Sequence, residues 1–457
     1  MAQQFKNQGG AASSEPSRLV RWIASKMMQK MSDPQRVIKK RAKAEKHRVK
    51  NKLPHRVEYY HQVDDAYGHL AAQALQPLLD TYDIELVPML TGPPYGNNAP
   101  ELEMLLKYAL RDSITVAPHY LLTFPRDAIA PTADRQSLAT CILANVDAKD
   151  FPQAAVDVGN ALWSGNDTEL EALAQRYGKT DPAAAEAMVV AGTVKRDKLG
   201  HYSGAMFYYG GEWYWGVDRL YHLENRLVEL GARKSGKTEV IVPRPEIDCG
   251  DIKDDGSLTL EFYPSLRSPY SAIAFDRTIK LVEDSGVKME MRPVLPMVMR
   301  GVSVTRQKGM YIVTDTAREG RTLGVRFGNA YDPIGDPVRR AFSLFPWSRE
   351  KGKSIEFFSA FIKAAFFEAI NTNTDAGQRW VVEKAGLSWQ EAQSVIDNKD
   401  WEEELEENRL AMLGFGCWGV PSYRLVDSKD EVVLSVWGQD RLWLVAREIK
   451  RLLAEKR

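Results

Sequence analysis

The chain has 457 residues, 61 Lys+Arg against 61 Asp+Glu, and a formal net charge of zero. At roughly 100–200 residues per domain this length predicts two or three domains, and 44% hydrophobic with 27% charged residues excludes wholesale disorder and collagen-like structure. No apolar run approaches the ~18–20 residues that a membrane helix needs, so the chain is not expected to span a bilayer.

The neutral total conceals a segregation. Residues 1–56 hold 15 Lys+Arg and 3 Asp+Glu, a net of +12, and the other 401 residues hold 46 basic and 58 acidic groups, a net of −12. A basic arm, residues 1–53, precedes an acidic body. Its first 14 residues are rich in Gln, Gly, Ala and Ser, a composition that predicts disorder. Ser14 or Ser17 then caps a helix with Leu19, Ile23, Met27 and Met31 at i, i+4 spacing, and a second basic helix, interrupted near Pro34, runs to about Lys52. Arg21 and Lys26 break the apolar core that a secretory signal requires. Docking on the acidic body is the plain reading of the arm. Contact with a membrane surface or nucleic acid through residues 17–52 is the sharper one.

From Arg56 the pattern becomes α/β. Val57-Glu58-Tyr59-Tyr60 alternates as a strand, Tyr67 to Leu79 reads as a helix, and Ile84 to Val87 is a second strand closed by Pro88. A helical stretch including Phe151 to Gly178 follows, then a hairpin around Gly210-Gly211 and a helix from about Val217 to Leu230. Residues 54–232 form one domain and 233–257, rich in Pro, Asp and Gly, a linker. The order then restarts over 258–457. Leu258 to Tyr263 is a strand, Pro269 to Asp284 a helix, and Val287 to Met291 a strand closed by Pro293. A helical middle covers Ser354 to Leu410, and Tyr423 to Trp437 is a second hairpin before a final helix.

The halves echo each other. Trp215-Gly216-Val217-Asp218-Arg219-Leu220-Tyr221 reappears as Trp437-Gly438-Gln439-Asp440-Arg441-Leu442-Trp443, and Lys107-Tyr108 with Asp112 echoes Lys308, Tyr311 and Asp315. The order β-α-β, helical insertion, β-β-α is that of two tandem thioredoxin-like domains, each with an inserted helical subdomain, paired as an intramolecular pseudo-dimer.

Cys141, Cys249 and Cys417 are more than 100 residues apart, with no Cys-x-x-Cys, so neither a dithiol site nor a local zinc site is expected. Such sparse cysteines suit a reducing, cytoplasmic compartment, and the basic arm read as an organelle presequence gives a mitochondrial one as the minor alternative. All seven histidines lie at or before His222, so the second half cannot build its own Ser-His triad or histidine-ligated metal.

Two features of the second half carry chemistry. Ser268-Pro269-Tyr270-Ser271 stands between the first strand and first helix, where capping alone explains the Ser-Pro pair. A helix N-terminus there also stabilises an anion such as a thiolate, to which a Ser hydroxyl can donate. Gly419-Val420-Pro421 precedes the hairpin, where a Pro outside the ladder often takes a cis bond.

With Arg292-Pro293, Lys308-Gly309-Met310-Tyr311, Asp315, Glu383-Lys384-Ala385-Gly386-Leu387-Ser388 and Gly438-Gln439-Asp440-Arg441, these residues resemble the kappa-class glutathione transferases and 2-hydroxychromene-2-carboxylate isomerases of the DsbA-type thioredoxin superfamily. The resemblance covers about 200 residues of the second half and implies a glutathione-dependent transferase or isomerase acting on an electrophilic, aromatic-derived substrate. It implies Ser268 on the glutathione sulfur and Lys308 holding the tripeptide. The Val420 backbone before Pro421 would pair with its cysteinyl part, and Gln439 and Asp440 would hold its γ-glutamyl end. Glutathione is the co-substrate implied, with no metal. Ser265 stands where the family usually has Asp, and the stretch between Arg300 and Lys308 lacks the family's glutathione-binding asparagine. In the first half Asp65-Ala66-Tyr67-Gly68 replaces the serine motif and Ser203-Gly204-Ala205 replaces the Gly-Val-Pro turn, which reads as a degenerate, structural copy that keeps Gly96-Asn97-Asn98. The competing readings are a non-enzymatic thioredoxin-fold binding protein and, weakest, a thiol–disulfide oxidoreductase.

Overall fold

The computed structural model describes residues 15–237, 239–302 and 304–455. The expected disorder of the first 14 residues and a cap by Ser14 lie outside the described residues. The chain forms two compact units, one running Val37–Pro245, the other joining Glu246 onward to the described residues up to Arg36.

Helix α1 (Arg18–Ser32) starts at Ser17, whose hydroxyl accepts the Val20 N–H at 3.3 Å, so Ser17 is the cap. Helix α2 (Pro34–Lys50) opens on a proline, which costs nothing at a first helical position. In the first unit β1 (Arg56–His61) is followed by α3 (Ala66–Ala72), α4 (Leu75–Thr81) and β2 (Glu85–Leu90). The single helix expected over 67–79 breaks at Gln73-Ala74, because the Pro77 ring would clash with the carbonyl four residues back. Pro88 does not close β2 but lies inside it, opposite Tyr59. The sheet order β2-β1-β3-β4 puts β2 at an edge, where a missing N–H is tolerated.

Helices α5 (Leu102–Val116), α6 (Ala133–Ala144), α7 (Phe151–Trp163), α8 (Asp167–Tyr177) and α9 (Pro182–Lys198) fill the insertion. Strands β3 (Met206–Tyr209) and β4 (Glu212–Trp215) follow, joined through Gly210 and Gly211 at φ +53° and +84°, the turn geometry that suits the twist of a tight hairpin. Helix α10 (Gly216–Glu229) ends the unit.

The second unit repeats this order. Strand β5 (Leu258–Tyr263), α11 (Pro269–Ser285) and β6 (Lys288–Met291) lead into α12 (Arg306–Thr322), α13 (Asp336–Glu350), α14 (Ser354–Phe366), α15 (Asp375–Lys384), α16 (Trp389–Ala392) and α17 (Trp401–Gly414). Strands β7 (Ser422–Asp427) and β8 (Val432–Trp437) and helix α18 (Leu442–Glu455) complete it. The helical middle therefore begins near Arg306 rather than Ser354. Helix α12 buries Asp315, Thr316, Arg318 and Glu319, a polar face that apolar periodicity does not reveal.

The second sheet has the order β6-β5-β7-β8, with β5 parallel to β6 and antiparallel to β7, the same senses as in the first. Phe262 of β5 stacks on Tyr423 of β7 and meets Phe275 of α11, which stacks on Phe358 of α14, so one aromatic column ties sheet, helix and insertion together. Side-chain contacts recur 203 positions apart. Tyr60 donates to Glu58 at 2.7 Å as Tyr263 does to Glu261 at 2.8 Å, and Tyr67 donates to Asp112 at 2.7 Å as Tyr270 does to Asp315 at 2.8 Å.

In the second unit α1 docks through polar groups. The Arg21 guanidinium donates to the Asp332 carbonyl at 3.1 Å and to the Ile334 carbonyl, and the Asp332 N–H donates to the Ser25 hydroxyl at 2.9 Å. The buried Asp332 carboxylate is gripped by Arg267 at 2.8 and 3.0 Å. Burial alone would raise its pKa, but Arg267 overcomes that and holds the carboxyl below the usual aspartate range. A depressed carboxyl stabilises the fold above its unfolded pKa of roughly 4 and loses that contribution on acidification. Asp332→Ala strands Arg267 and should cost about 3 kcal/mol at pH 7. Urea unfolding at pH 7 and pH 3 checks this, and an equal loss at both would contradict it.

Candidate active site

The second-unit site is built where β5 ends and β7 begins. Ser268 caps α11: its Oγ accepts the Ser271 N–H at 3.1 Å and donates to the Val420 carbonyl at 3.3 Å, across 152 residues of sequence. The loop before it is tied back, with the Ser268 N–H on the Ser265 carbonyl at 3.1 Å and the Ser265 N–H on the Ser271 hydroxyl at 3.2 Å. The Ser265 hydroxyl is buried and has no hydrogen-bond partner among the described residues. The Val420–Pro421 peptide is cis, and the Pro421 carbonyl accepts the Gly438 N–H at 2.8 Å. A Cβ on Gly419 would sit 2.3 Å from the Trp437 indole, so only glycine lets this loop lie on that ring.

Lys308 lies in the first turn of α12, with its ammonium 5.2 Å from the centre of the Trp418 ring. Burial pushes this ammonium down to about 8. Trp418 packs on Trp437 at 5.0 Å, and its buried indole N–H has no partner among the described residues. Gln439 and Asp440 stand in the turn before α18. The Gln439 amide is buried and committed to protein groups. Its oxygen accepts from Arg277 at 3.0 Å, and its nitrogen donates to Glu319 at 2.9 Å and to the Asp440 carboxylate. Asp440 is half-buried. The structure thus brings Ser268 directly onto Val420 and Gln439 onto Asp440, while Lys308 joins the Trp418 side of the same loop.

Sequence reasoning missed Arg277 and Glu319, which hold Gln439, and Arg267 with Asp332, which anchor the residue preceding Ser268. The only local signal was the Tyr–Asp pair, spaced alike in the two halves. That spacing also corrects the echo of Lys107. With Tyr67 matched to Tyr270 and Asp112 to Asp315, Lys107 falls opposite Met310, and it pairs instead with exposed Glu103 at 2.7 Å.

In the first unit Asp65 takes the place of Ser268. Its carboxylate accepts the Tyr67 N–H at 3.0 Å and caps a helix of only seven residues. Ala205 replaces the proline at φ +53°, and its carbonyl accepts the Gly216 N–H at 2.7 Å, the bond that Pro421 makes with Gly438. Burial lifts the Asp65 carboxyl to about 7, against the pull of the Tyr67 and Gly68 N–H groups. His61 and His69, both buried, are pushed by burial down to about 3 and about 4.

Residues 259–450 match the DSBA-like thioredoxin domain, a span that runs from β5 into α18. The second unit therefore carries a DsbA-like thioredoxin domain. No curated relative matches the chain. Similar solved structures include a 2-hydroxychromene-2-carboxylate isomerase, 20% identical over 43% of this chain and 97% of that one, with a TM-score of 0.35. A probable DsbA oxidoreductase from Streptomyces coelicolor is 17% identical over 44% and 91%, with a TM-score of 0.35. A cytosolic disulfide reductase from Pseudomonas aeruginosa is 13% identical over 43% and 98%, with a TM-score of 0.33. Among the described residues, no helix is long and apolar enough to cross a membrane.

The raised Asp65 carboxyl has a thermodynamic signature. Between roughly pH 4 and pH 7 the folded state holds a proton that the unfolded state has lost, so stability falls as pH rises through that window. Asp65→Asn keeps a capping oxygen and removes the charge. It should stabilise the first unit by about 1–2 kcal/mol at pH 8 and leave it unchanged near pH 4. Thermal melts at the two pH values decide it, and equal effects at both would contradict the assignment.

Proposed function

We propose that the second unit is a glutathione-dependent transferase or isomerase acting on an electrophilic, aromatic-derived substrate. The observation that carries this reading is the Ser268 hydroxyl at the start of a 17-residue helix, bonded to the Val420 carbonyl beside a cis proline. Its 3.3 Å bond to Val420 is long for O–H···O, so the hydroxyl can turn its proton toward a sulfur while still accepting the Ser271 N–H. That donor and the helix dipole would lower the thiol pKa and orient the thiolate. Lys308 suits a carboxylate and Asp440 an ammonium group. Gln439, held by Arg277 and Glu319, orients Asp440.

Glutathione would supply the thiol: its proton passes to solvent and the thiolate adds to an activated C=C, whose π pair moves onto the conjugated carbonyl. The adduct either takes a proton from solvent at carbon and persists or, after rotation about the former double bond, expels the thiolate as that pair returns. A haloarene instead loses halide as its C–S bond forms. All three cysteines of the chain are buried thiols outside any disulfide, which offers little to a thiol–disulfide reading. In the first unit Asp65 and Ala205 stand where the second has its serine and proline, and the Asp65 carboxyl repels a thiolate once it ionises above about pH 7, so we read that unit as a copy without this chemistry.

Calorimetry with reduced glutathione, and turnover with chlorodinitrobenzene as a test electrophile, examine the proposal. Ser268→Ala should lower kcat by about 100-fold, the scale of losing one preorganised donor, while changing binding far less. Binding should weaken above pH 8 as Lys308 loses its proton. Absence of glutathione binding at millimolar concentration would sink the idea.

A further inference from the structure

Helix α1 is inside out. The face it turns to the second unit is polar: Arg21, Ser25 and Ser32 are buried, with Arg21 only 1% exposed. The Gln29 amide adds a bond to the Ala330 carbonyl at 2.9 Å, and the Arg321 guanidinium reaches the Ser32 carbonyl at 3.4 Å. The opposite face carries Leu19, Val20, Trp22, Ile23 and Met27, each between 43% and 65% exposed. Lys26 and Lys30 are exposed on the same side, since residues 19, 23, 26, 27 and 30 share one helical stripe. The apolar spacing that predicted a docking face is thus not used for docking. Specific polar contacts beside the half-buried Met28 and Met31 hold the helix, and Leu19, Val20, Trp22, Ile23 and Met27 face water.

We propose that α1 binds the surface of an anionic lipid bilayer. The helix would lie in the interfacial plane with Leu19, Ile23 and Met27 inserted and Lys26 and Lys30 among the headgroups. An exposed stripe of large apolar side chains with Lys26 and Lys30 among them can lie in the interfacial plane, the lysine stems running along the apolar surface and their ammonium groups reaching the headgroups, and Trp22 at its margin suits the headgroup level. Charge points the same way, because residues 1–56 carry a net +12 while the rest of the chain carries −12, so an anionic surface attracts the arm and repels the body. A second copy is a poorer occupant. Fifteen residues make a helix about 22 Å long, and one stripe on it falls well short of the ~800 Å² per partner that a stable interface needs.

The full-length protein is floated with phosphatidylcholine vesicles containing about one-third phosphatidylserine, and with phosphatidylcholine alone. The wild type should float with the first and not the second, and less so at high salt. I23E/M27E should reduce flotation at least about ten-fold with an unchanged melting temperature, since both side chains face solvent. K26E/K30E should act in the same direction. No flotation, or flotation equal in wild type and I23E/M27E, overturns the proposal. So does a wild-type dimer in light scattering that I23E/M27E abolishes, which would assign the face to a second copy. Binding of polyuridylate in place of vesicles, unaffected by I23E/M27E, would assign the charge to nucleic acid.

Discussion

The antiparallel pairing of β5 with β7, Tyr263 opposite Ser422, is the constraint from which the candidate site follows. Because the strands run oppositely, the loop leaving β5 and the loop entering β7 must emerge at the same end of the sheet. Ser268 and Val420 therefore meet. The stack of Phe262 on Tyr423 and the buried Glu261 carboxylate between Arg424 and Arg292 keep the two strands in that register. A slip of one residue would turn Phe262 outward and part the hydroxyl from the carbonyl. The site is thus a consequence of strand order before it is a collection of side chains.

Around this frame the polar groups form supports. Asp332 grips Arg267 beside Ser268 and is itself held through its backbone by Arg21 and Ser25 of α1. Arg277 of α11 and Glu319 of α12 hold Gln439 from two sides, so the turn that carries Asp440 is fixed by the helices flanking the sheet. The first unit shows the same sheet with a different outcome. Tyr60–Glu58 and Tyr67–Asp112 repeat the supporting bonds of the second unit, yet Asp65 and Ala205 replace the serine and the proline. Both units keep the supporting framework, and the serine and the cis proline belong to the second.

Much of the framework was legible in the sequence because its signals are local. Alternation marked β1 and β5, Gly210-Gly211 the first hairpin, and Ser268-Pro269 the start of α11. What was not legible depends on neighbours distant in the chain. Pro88 reads as a strand end, and only the edge position of β2 admits it within the strand. The buried polar face of α12 hides from any apolar periodicity, and α1 misleads by carrying a core-like stripe that its polar contacts leave outside. Gln439 reads as a ligand contact, and only the fold shows that Arg277 and Glu319, 162 and 120 residues away, also bond its amide.

The central claim is that the meeting of Ser268 and Val420 forms a seat for a cysteinyl thiolate. A crystal structure of the protein soaked with reduced glutathione tests it most directly. The account predicts the sulfur within hydrogen-bond reach of the Ser268 hydroxyl, the cysteinyl backbone against Val420, and the γ-glutamyl ammonium near Asp440. Glutathione seated elsewhere, or no glutathione between Ser268 and Val420 at millimolar concentration, would contradict it.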